Sequence, residues 1–309
     1  MFNIKQRADR IKKIIAYNTE SRQSFTLPVV CVRKPVSPLP SCPYFCFVSN
    51  PGLINTPLID PFMWLHCYRN ESLLPTDAPK YLFPESDCVD RSHCPFVNRK
   101  KTTMDYIYFT ISGHRGDLYK GFGNFLKDVV ILKKLGLTGM VVFYNGTREL
   151  ASGDLKSLQR CNVKIHNGYI PRARIAKVMS QAKFGLFPNK MDCSPRMIPE
   201  FFLQNRPVIV NRDITGGWHY VEGDVGFGSL YKPGDEKSLQ KACENILKLP
   251  NNQRSLWESK YGFVRGAKRL SNLIREHHDC SDLPFFTHAY FKEYRKVFSG
   301  IPELFDDSE

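Results

Sequence analysis

The regular alternation of strand-like and helix-like segments between residues 105 and 250 constrains the fold of this chain more than any other feature. Residues 105–111 (DYIYFTI) alternate like a strand, and Phe122, Phe125 and Val129 then recur at helical spacing. Further strands are predicted at residues 138–144, 163–165, 184–187 and 207–210, and helices at residues 175–182, 196–204 and 239–249. Because strands that alternate with helices pair in parallel, the pattern predicts a doubly wound α/β sheet, which binds ligands at the carboxyl ends of its strands.

Residues 1–104 are less regular and contain many prolines. An amphipathic opening helix is predicted through Ile4, Ile11, Ile14 and Ile15. Strands at residues 27–32 and 44–48 follow, then a helix at 61–68 and a polar, proline-rich connector at about 74–101. The connector is typical of a domain boundary.

The last part of the chain is basic and aromatic. A long basic helix is predicted from residue 257 to residue 274, and a second helix over residues 288–298. The sequence therefore divides into residues 1–104, 105–250 and 251–309.

The net charge of +14 points to an anionic partner. The basic residues are spread along the chain, without a zinc finger or a long basic tract, so we do not expect nucleic acid. A phosphorylated substrate fits better. The ten cysteines show no metal-site spacing, and we expect reduced thiols. Neither a membrane-spanning apolar run nor a secretory signal pattern is visible, so the expected location is the cytoplasm.

The segment GHRGDLYKG, which follows the first strand of the alternating region, is a candidate phosphate site. Glycines such as Gly113 let the backbone approach a phosphate, and a helix start adds partial positive charge. Arg115 and Lys120 could together neutralise a diphosphate. An exposed basic loop without such a role explains the same residues.

The segment MDCSPRMIPE predicts a helix start that could bind an anion. Ser194 suits the N-cap and Pro195 the first helical position, which would leave free amides up to Arg196. Asp192 precedes this helix and Glu200 lies inside it. A carboxylate in this setting is suited to accept hydrogen bonds from two vicinal hydroxyls, such as those of a ribose, although a surface or capping role also explains Glu200.

Taken in order, these segments resemble the donor-binding half of GT-B glycosyltransferases, and in particular the retaining family 4. The family's Gly-Arg and Lys-Gly elements correspond to GHRGDLYKG, and its next strand, which ends at a glycine, corresponds to MVVFYNG with Gly146. NVKIHNGYIP and AKFGLFPN follow in the family's order, and Asp192 and Glu200 stand at the positions of its two acidic residues before NRPVIV. The resemblance covers about residues 105–250, close to half the chain.

The resemblance implies a nucleoside diphosphate sugar as donor substrate. Arg115 and Lys120 would stabilise the leaving diphosphate, and Asp192 would bind the transferred sugar, so these three residues are the expected catalytic set. Glu200 would hold the ribose hydroxyls. The other implied donor-binding residues are Gly113, Gly146, Tyr169, Ile170, Ser194, Pro195 and Arg196, of which Tyr169 and Ile170 would border the base.

The chain departs from the family pattern at several positions. Asp192 replaces the usual first Glu, Cys193 and Ser194 replace Gly-Phe, and Phe201 and Asn205 replace small residues. These changes could shift sugar specificity without removing the charges.

The expected fold is GT-B-like α/β, with two Rossmann-like lobes and a cleft between them. Residues 1–104 would form a reduced N-terminal lobe for the acceptor, residues 105–250 the donor domain, and residues 251–309 helices that pack back on the N-terminal lobe. The shortened form is also similar to glycosyltransferases encoded by large DNA viruses of algae, which would place the protein in the host cytoplasm.

The implied activity is transfer of a hexose from GDP-mannose or a UDP-sugar, with retention of configuration and without a metal or a further cofactor. The acceptor would be a glycan, a glycoprotein or a lipid-linked hydroxyl, and His66 is a candidate contact that packing also explains. A peripheral membrane contact and a homodimer are further expectations.

Three other classes stay open on the sequence alone. A non-catalytic nucleotide-sugar-binding subunit would bind the donor without transferring sugar. A GT-B-shaped sugar-nucleotide epimerase would need an acid and base pair that the sequence does not identify. A nucleic-acid-binding protein would show binding that depends steeply on salt.

Overall fold

The computed structural model describes residues 12–17, 24–31, 45–48, 61–74, 76–91, 94–98, 101–147, 149–223, 226–277 and 288–291 of the 309-residue chain. The chain divides into two compact units. One comprises Met1–His93 with Lys260–Glu309, and the other comprises Cys94–Ser259. The three-part division predicted from the sequence stays a prediction about domains.

Both units contain strands and helices. The strands are β1 (Lys12–Tyr17), β2 (Ser24–Cys31), β3 (Phe45–Phe47), β4 (Met63–His66), β5 (Lys80–Leu82), β6 (Met104–Thr110), β7 (Gly139–Phe143), β8 (Lys164–Asn167), β9 (Ala182–Phe187), β10 (Val208–Asn211), β11 (Gly228–Tyr231) and β12 (His288–Phe291). The helices are α1 (His114–Lys120), α2 (Phe122–Lys134), α3 (Ser152–Arg160), α4 (Arg172–Met179), α5 (Met197–Leu203), α6 (His219–Glu222), α7 (Glu236–Leu247), α8 (Gln253–Lys260) and α9 (Phe263–His277).

The second unit contains a parallel six-stranded sheet in the order β11-β10-β9-β6-β7-β8. This is the strand order of a doubly wound Rossmann sheet. Helices α2, α3 and α7 pack together, as do α4 and α5. The predicted α/β alternation is therefore confirmed, and the structure adds four elements to it: α1, α3, α6 and β11.

Aromatic side chains dominate the core of the second unit. The strand β6 is buried along nearly all of its length, as expected for a strand covered on both faces. The rings of Tyr108 and Phe125 have centroids 4.3 Å apart, and the Phe125 ring also meets the edge of Tyr106. These contacts fix α2 against the centre of the sheet.

The first unit contains a second six-stranded sheet in the order β12-β1-β2-β3-β4-β5. Strands β2 to β5 pair in parallel, whereas β1 pairs antiparallel with both β2 and β12. Together with the parallel sheet of the second unit, this arrangement agrees with two Rossmann-like lobes.

Three helices predicted from the sequence are strands where the structure describes them. Ile14 and Ile15 lie in β1, and the apolar run MWLH forms β4 with all four residues buried. Residues 288–291 form β12, and residues 292–298 lie outside the described residues. Short apolar runs fit a buried strand and a buried helix equally, so periodicity alone could not separate the two.

The predicted long basic helix is two helices, α8 and α9. Gly262 lies between them at a φ of 89°, and its amide donates to Asp87 O at 2.9 Å. Arg269 of α9 then donates from Nη2 to Leu82 O and to Asp87 Oδ2, each at 2.8 Å. The C-terminal helix α9 is thereby tied to the segment after β5. Among the described residues, none of the helices combines the length and the apolar character needed to cross a bilayer.

Candidate functional site

The strand order of the second unit brings β6 and β9 side by side at its centre. The chain moves outward from β6 through β7 to β8, then returns to β9 on the other side of β6. The connections that leave β6 and β9 therefore diverge at the carboxyl edge of the sheet. Doubly wound folds bind their ligands at this kind of switch point.

The connection after β6 is the short helix α1, which runs from His114 to Lys120. Gly113 is its N-cap, and Gly121 ends it in the left-handed conformation at a φ of 69°. A Cβ at Gly121 would lie 2.4 Å from Pro188 O, so only glycine allows this approach to the end of β9. The buried Tyr108 hydroxyl donates to Lys120 O at 2.7 Å and fixes the last residue of the helix.

Lys120 and Asp192 meet at this edge. Lys120 Nζ lies 2.8 Å from Asp192 Oδ2, and the two side chains are 38% and 14% exposed. Asn189, which is buried, donates from Nδ2 to the same carboxylate oxygen at 3.1 Å. The structure therefore brings together two of the three residues predicted to be catalytic, from the two halves of the sheet.

Hydrogen bonds from three neighbouring segments hold the chain around Asp192. Asn124 of α2 and Asn211 of β10 both donate to Pro188 O at 3.2 Å. Gly216 N donates to Asp192 O at 2.8 Å, and a Cβ on Gly216 would lie 2.0 Å from Cys193 O. The glycine pair after β10 is therefore required for close backbone packing.

Arg115 lies in α1, and not in a loop as the sequence predicted. Its side chain is exposed. Residues five apart in an α-helix differ by about 140° around the axis, so Arg115 and Lys120 lie on different sides of α1. Arg115 is thus near the switch point, but the helix does not direct both cations to one side.

The helix after Asp192 begins at Met197, later than predicted. Its N-cap residue is Arg196, whose side chain makes no capping hydrogen bond, so Ser194 is not the N-cap. Pro195 O instead accepts from Ile198 N at 2.9 Å, and Arg196 N donates to Ser194 O at 2.8 Å. The Arg196 amide is engaged within this turn, so the predicted anion site of free amides is incomplete.

Glu200 lies in α5, and its side chain is only 1% exposed. Arg172, the first residue of α4, donates from Nη2 to Glu200 Oε1 at 2.5 Å. An ionised carboxylate without a partner at this depth would cost several kcal/mol, and the guanidinium stabilises the charged form. No pattern in the sequence marked Arg172 as a site residue.

The surroundings of this ion pair shift the pKa values of two further groups. Burial raises the pKa of Tyr144 to about 12, with Glu200 adding to the rise and Arg172 opposing it. Burial likewise raises the pKa of the Cys94 thiol to about 12, again with Glu200 adding and Arg172 opposing. Both groups stay protonated at neutral pH, so Arg172 and Glu200 carry the charge here.

The segments after β7 and β8 complete this edge of the sheet. Asn145 Oδ1 accepts from Ser112 N at 2.7 Å and joins the ends of β6 and β7. Gly146 follows, and a Cβ there would lie 3.1 Å from Asn167 Oδ1 at the end of β8. After β8, Tyr169 is 72% exposed whereas Ile170 is buried. An exposed phenol beside a buried aliphatic chain is suited to border a planar base.

His66 ends β4 in the first unit and is buried. Its Nδ1 accepts from Tyr68 N at 3.2 Å, which leaves the proton on Nε2, 3.9 Å from Glu71 Oε2. Burial lowers the pKa of His66, and Glu71 opposes this shift. The side chain is therefore neutral near pH 7. Within the part of the chain that the structure describes, His, Cys, Asp and Glu residues form no cluster of three or more that could hold a metal ion.

Over 75–80% of its length, the chain is similar to solved structures of glycosyltransferases with the GT-B fold. AviGT4, a glycosyltransferase involved in avilamycin A biosynthesis, aligns over 80% of this chain and 73% of its own, with 14% identity and a TM-score of 0.54. Sucrose-phosphate synthase from Thermosynechococcus elongatus aligns over 75% of this chain and 67% of its own, with 16% identity and a TM-score of 0.54.

The pneumococcal O-GlcNAc transferase GtfA, whose structure contains UDP and GlcNAc, is a third similar structure. It aligns over 77% of this chain but 53% of its own, with 14% identity and a TM-score of 0.53. The chain thus spans about half the length of GtfA. No protein-family model matches the sequence, and no curated protein is similar to it. At these identities the likeness establishes the GT-B fold.

Proposed function

We propose that this protein is a glycosyltransferase that uses a nucleoside diphosphate sugar as its donor. The observation that carries the proposal is the Lys120–Asp192 pair at the switch point of a GT-B donor-type sheet. A cation and a carboxylate at one edge are what transfer from such a donor requires, since the diphosphate leaves as an anion while the sugar presents hydroxyls.

Lys120 is the group proposed to stabilise charge on the departing diphosphate. Electrostatic stabilisation of developing charge is often the largest single contribution to catalysis. Arg115, which is exposed on the same helix, is proposed to add to the positive field. Asp192 would turn from Lys120 to the hydroxyls of the transferred sugar once the diphosphate takes the lysine.

Glu200 is the group proposed to bind the ribose. Its carboxylate can accept from two vicinal hydroxyls while Arg172 balances its charge. Tyr169 and Ile170, at the end of the neighbouring strand, would border the base, with Gly146 beside them. Gly113 lies in the connection after β6, and Ser194 and Pro195 lie in the connection after β9. These three residues are proposed to contact the donor as well.

The finer proposal follows the family resemblance: transfer of a hexose from GDP-mannose or a UDP-sugar with retention of configuration, by a metal-independent enzyme of family 4. GtfA was solved with UDP, which supports a nucleoside diphosphate as the leaving group. The proposed acceptor is the hydroxyl of a glycan, a glycoprotein or a lipid-linked saccharide.

A thermal-unfolding panel tests the donor. GDP-mannose, GDP-glucose, UDP-glucose, UDP-galactose and UDP-GlcNAc are added to the whole chain at concentrations from 10 µM upward. A ligand at about 100 times its Kd stabilises the native state by about 2.7 kcal/mol, which raises Tm by several degrees. A shift with one donor, followed by hydrolysis or transfer of its sugar, supports the proposal.

The matched variants are Glu200→Ala and Glu244→Ala. Glu244 is exposed on α7, which packs with α2 and not with the helix α5 that contains Glu200. We expect Glu200→Ala to weaken donor binding about tenfold, since hydrogen bonds to a charged group are being removed, and Glu244→Ala to leave it unchanged. Donor binding without any turnover would instead identify a non-catalytic subunit. Absence of a shift with every donor would refute the proposal.

A further inference from the structure

We infer that Arg172 is a positioning residue that holds Glu200 in place for recognition of the donor ribose, and that it thereby sets the preference for ribonucleotides over 2′-deoxyribonucleotides. This inference rests on the proposed function, because it concerns how the same site distinguishes its nucleotide.

The geometry of the ion pair supports this role of Arg172. Arg172 Nη2 contacts Glu200 Oε1 at 2.5 Å, and the Glu200 side chain is 1% exposed. Solvent therefore contributes little to balancing the carboxylate charge, and the guanidinium stabilises it directly. Cys94 and Tyr144 lie close enough to be affected by both groups, but each remains neutral and cannot replace the cation.

The position of Arg172 in its helix also supports this role. Arg172 is the first residue of α4, where the helix dipole favours acidic side chains and disfavours cations. The first turn of α4 contains no acidic residue, and the N-cap Pro171 provides no side-chain hydrogen bond. A cation here does not serve the helix. Its contact with Glu200 gives the position its physical reason, and local rules are broken in this way most often at functional sites.

Arg172 also connects two parts of the proposed donor site. It follows directly after the segment with Tyr169 and Ile170, which is proposed to border the base, and it reaches the carboxylate proposed to bind the ribose. Its own side chain is 49% exposed, so part of the guanidinium remains accessible beside the carboxylate. The base-bordering segment and the ribose-binding group are thus linked by one side chain.

Loss of the guanidinium would change the state of Glu200. A buried carboxylate without its cation takes up a proton or moves toward water. A protonated carboxyl group uses one oxygen as a donor and has lost its negative charge, so it accepts hydrogen bonds from two vicinal hydroxyls less strongly than the carboxylate does. Binding of a ribose would then lose its advantage over a 2′-deoxyribose, while contacts to the base and to the diphosphate would remain.

The experiment measures the affinities of UDP, GDP and their 2′-deoxy counterparts by calorimetry with the whole chain. The variants are Arg172→Met, Arg172→Lys, Glu200→Gln and the double variant Arg172→Met with Glu200→Gln. Arg174→Met is the matched control, because Arg174 is exposed in the same helix. Circular dichroism and thermal unfolding establish that each variant is folded.

Of UDP and GDP, we take the nucleotide that the unmodified chain binds more tightly, and we expect its affinity to be about tenfold higher than that of its 2′-deoxy form. Arg172→Met should reduce this ratio to about one, Arg172→Lys should retain part of it, and Arg174→Met should not alter it. The double variant contains a neutral pair and avoids an isolated buried charge, so it serves if Arg172→Met does not fold. Its ratio should equal that of Glu200→Gln.

Two results would overturn this inference and leave the proposed function intact. One is an unchanged affinity ratio in Arg172→Met, and the other is a further fall in this ratio when Arg172→Met is added to Glu200→Gln. The second would mean that Arg172 acts on the nucleotide independently of the carboxylate. If the unmodified chain binds neither UDP nor GDP, the proposed function fails and this inference fails with it.

Discussion

Lys120 Nζ and Asp192 Oδ2 form an ion pair of 2.8 Å that joins residues 72 positions apart in the sequence. Lys120 ends the helix after β6, and Asp192 lies in the connection after β9. The ion pair therefore lies at the switch point of the sheet, between its two central strands. The cation proposed for the diphosphate therefore neutralises the carboxylate proposed for the sugar before the donor binds. Replacing either residue should therefore also change the electrostatic environment of the other.

Replacing Lys120 should affect turnover more than binding. We expect Lys120→Ala to lower kcat about a hundredfold or more, with a change of only a few fold in donor affinity, because the lysine acts on charge that develops as the diphosphate departs. Initial rates of sugar transfer and calorimetric donor binding provide the two measurements. Lys156→Ala, an exposed position on α3, is the control. Equal losses in kcat and affinity would contradict the assignment.

Arg115→Ala should lower turnover as well, but by less than Lys120→Ala. Arg115 is exposed on a different side of α1, and salt screens the field of an exposed charge within about 10 Å. We expect a reduction of about threefold to tenfold that shrinks as sodium chloride is raised from 50 to 500 mM. The measurement is kcat across this salt series, and a loss as large as that of Lys120→Ala would show that Arg115 contacts the diphosphate directly.

The Thr215-Gly216-Gly217 segment offers a test of how the Asp192 segment is held. A Cβ on Gly216 would lie 2.0 Å from Cys193 O, so Gly216→Ala must displace the backbone that carries Asp192. We expect a loss of about 1 to 3 kcal/mol in the free energy of unfolding, together with weaker donor binding. Urea titration and donor calorimetry measure the two effects.

Gly153→Ala is the matched control for this substitution. Gly153 lies in α3, and a Cβ there would meet nothing within 4 Å. Alanine in a helix is up to about 1 kcal/mol more favourable than glycine, so the control should be neutral or stabilising. If both alanine variants behave alike, close packing around Cys193 is not what requires glycine at position 216.

Asp128 predicts a pH dependence of stability. It is buried in α2 and accepts from the Tyr231 hydroxyl at 2.6 Å and from Gly234 N at 2.8 Å. Burial raises the pKa of Asp128 to about 6, above the 3.8 of the unfolded chain, while these two hydrogen bonds oppose the rise. The folded state therefore retains the proton more strongly, and this contribution to stability is lost as the pH rises from about 4 through 6.

The measurement is the free energy of unfolding of the unmodified chain minus that of Asp128→Asn, from pH 4 to pH 7.5. The difference should fall by on the order of 2 kcal/mol and then stay level. Asp213→Asn, at an exposed carboxylate, should not reproduce this fall. A difference that is constant or rises with pH would mean that Asp128 is stabilised in its ionised form.

The sequence was most informative where long segments share one period. The strand β6 was predicted within one residue at each end, and the start of the helix α2 was predicted at Phe122, because aromatic and aliphatic residues repeat at the spacing of each element. The first unit was harder to predict. Its strands β3, β4 and β5 are three to four residues long, too short to show a period, and pairing with neighbouring strands decides their conformation.

The candidate site divides in the same way. Lys120 could be selected from the sequence because it lies beside a glycine in the segment after a strand, and Asp192 and Glu200 because they flank a predicted helix start and match the family's two acidic positions. The partner of Glu200 could not. Arg172 and Glu200 are 28 positions apart, and only the adjacent packing of α4 and α5 brings them within a hydrogen bond. A cation at the first position of a helix was the one local signal that could have drawn attention to Arg172.

The sequence by itself determined the alternation of strands and helices, and with it the parallel sheet and the edge at which a ligand would bind. Only the tertiary structure decided which charges meet there: Lys120 with Asp192, Arg172 with Glu200, and Arg115 turned to another side of its helix. The physical reason is the distance along the chain over which each interaction acts. Backbone periodicity follows from neighbours a few residues apart, whereas an ion pair depends on the packing of segments that are distant along the chain.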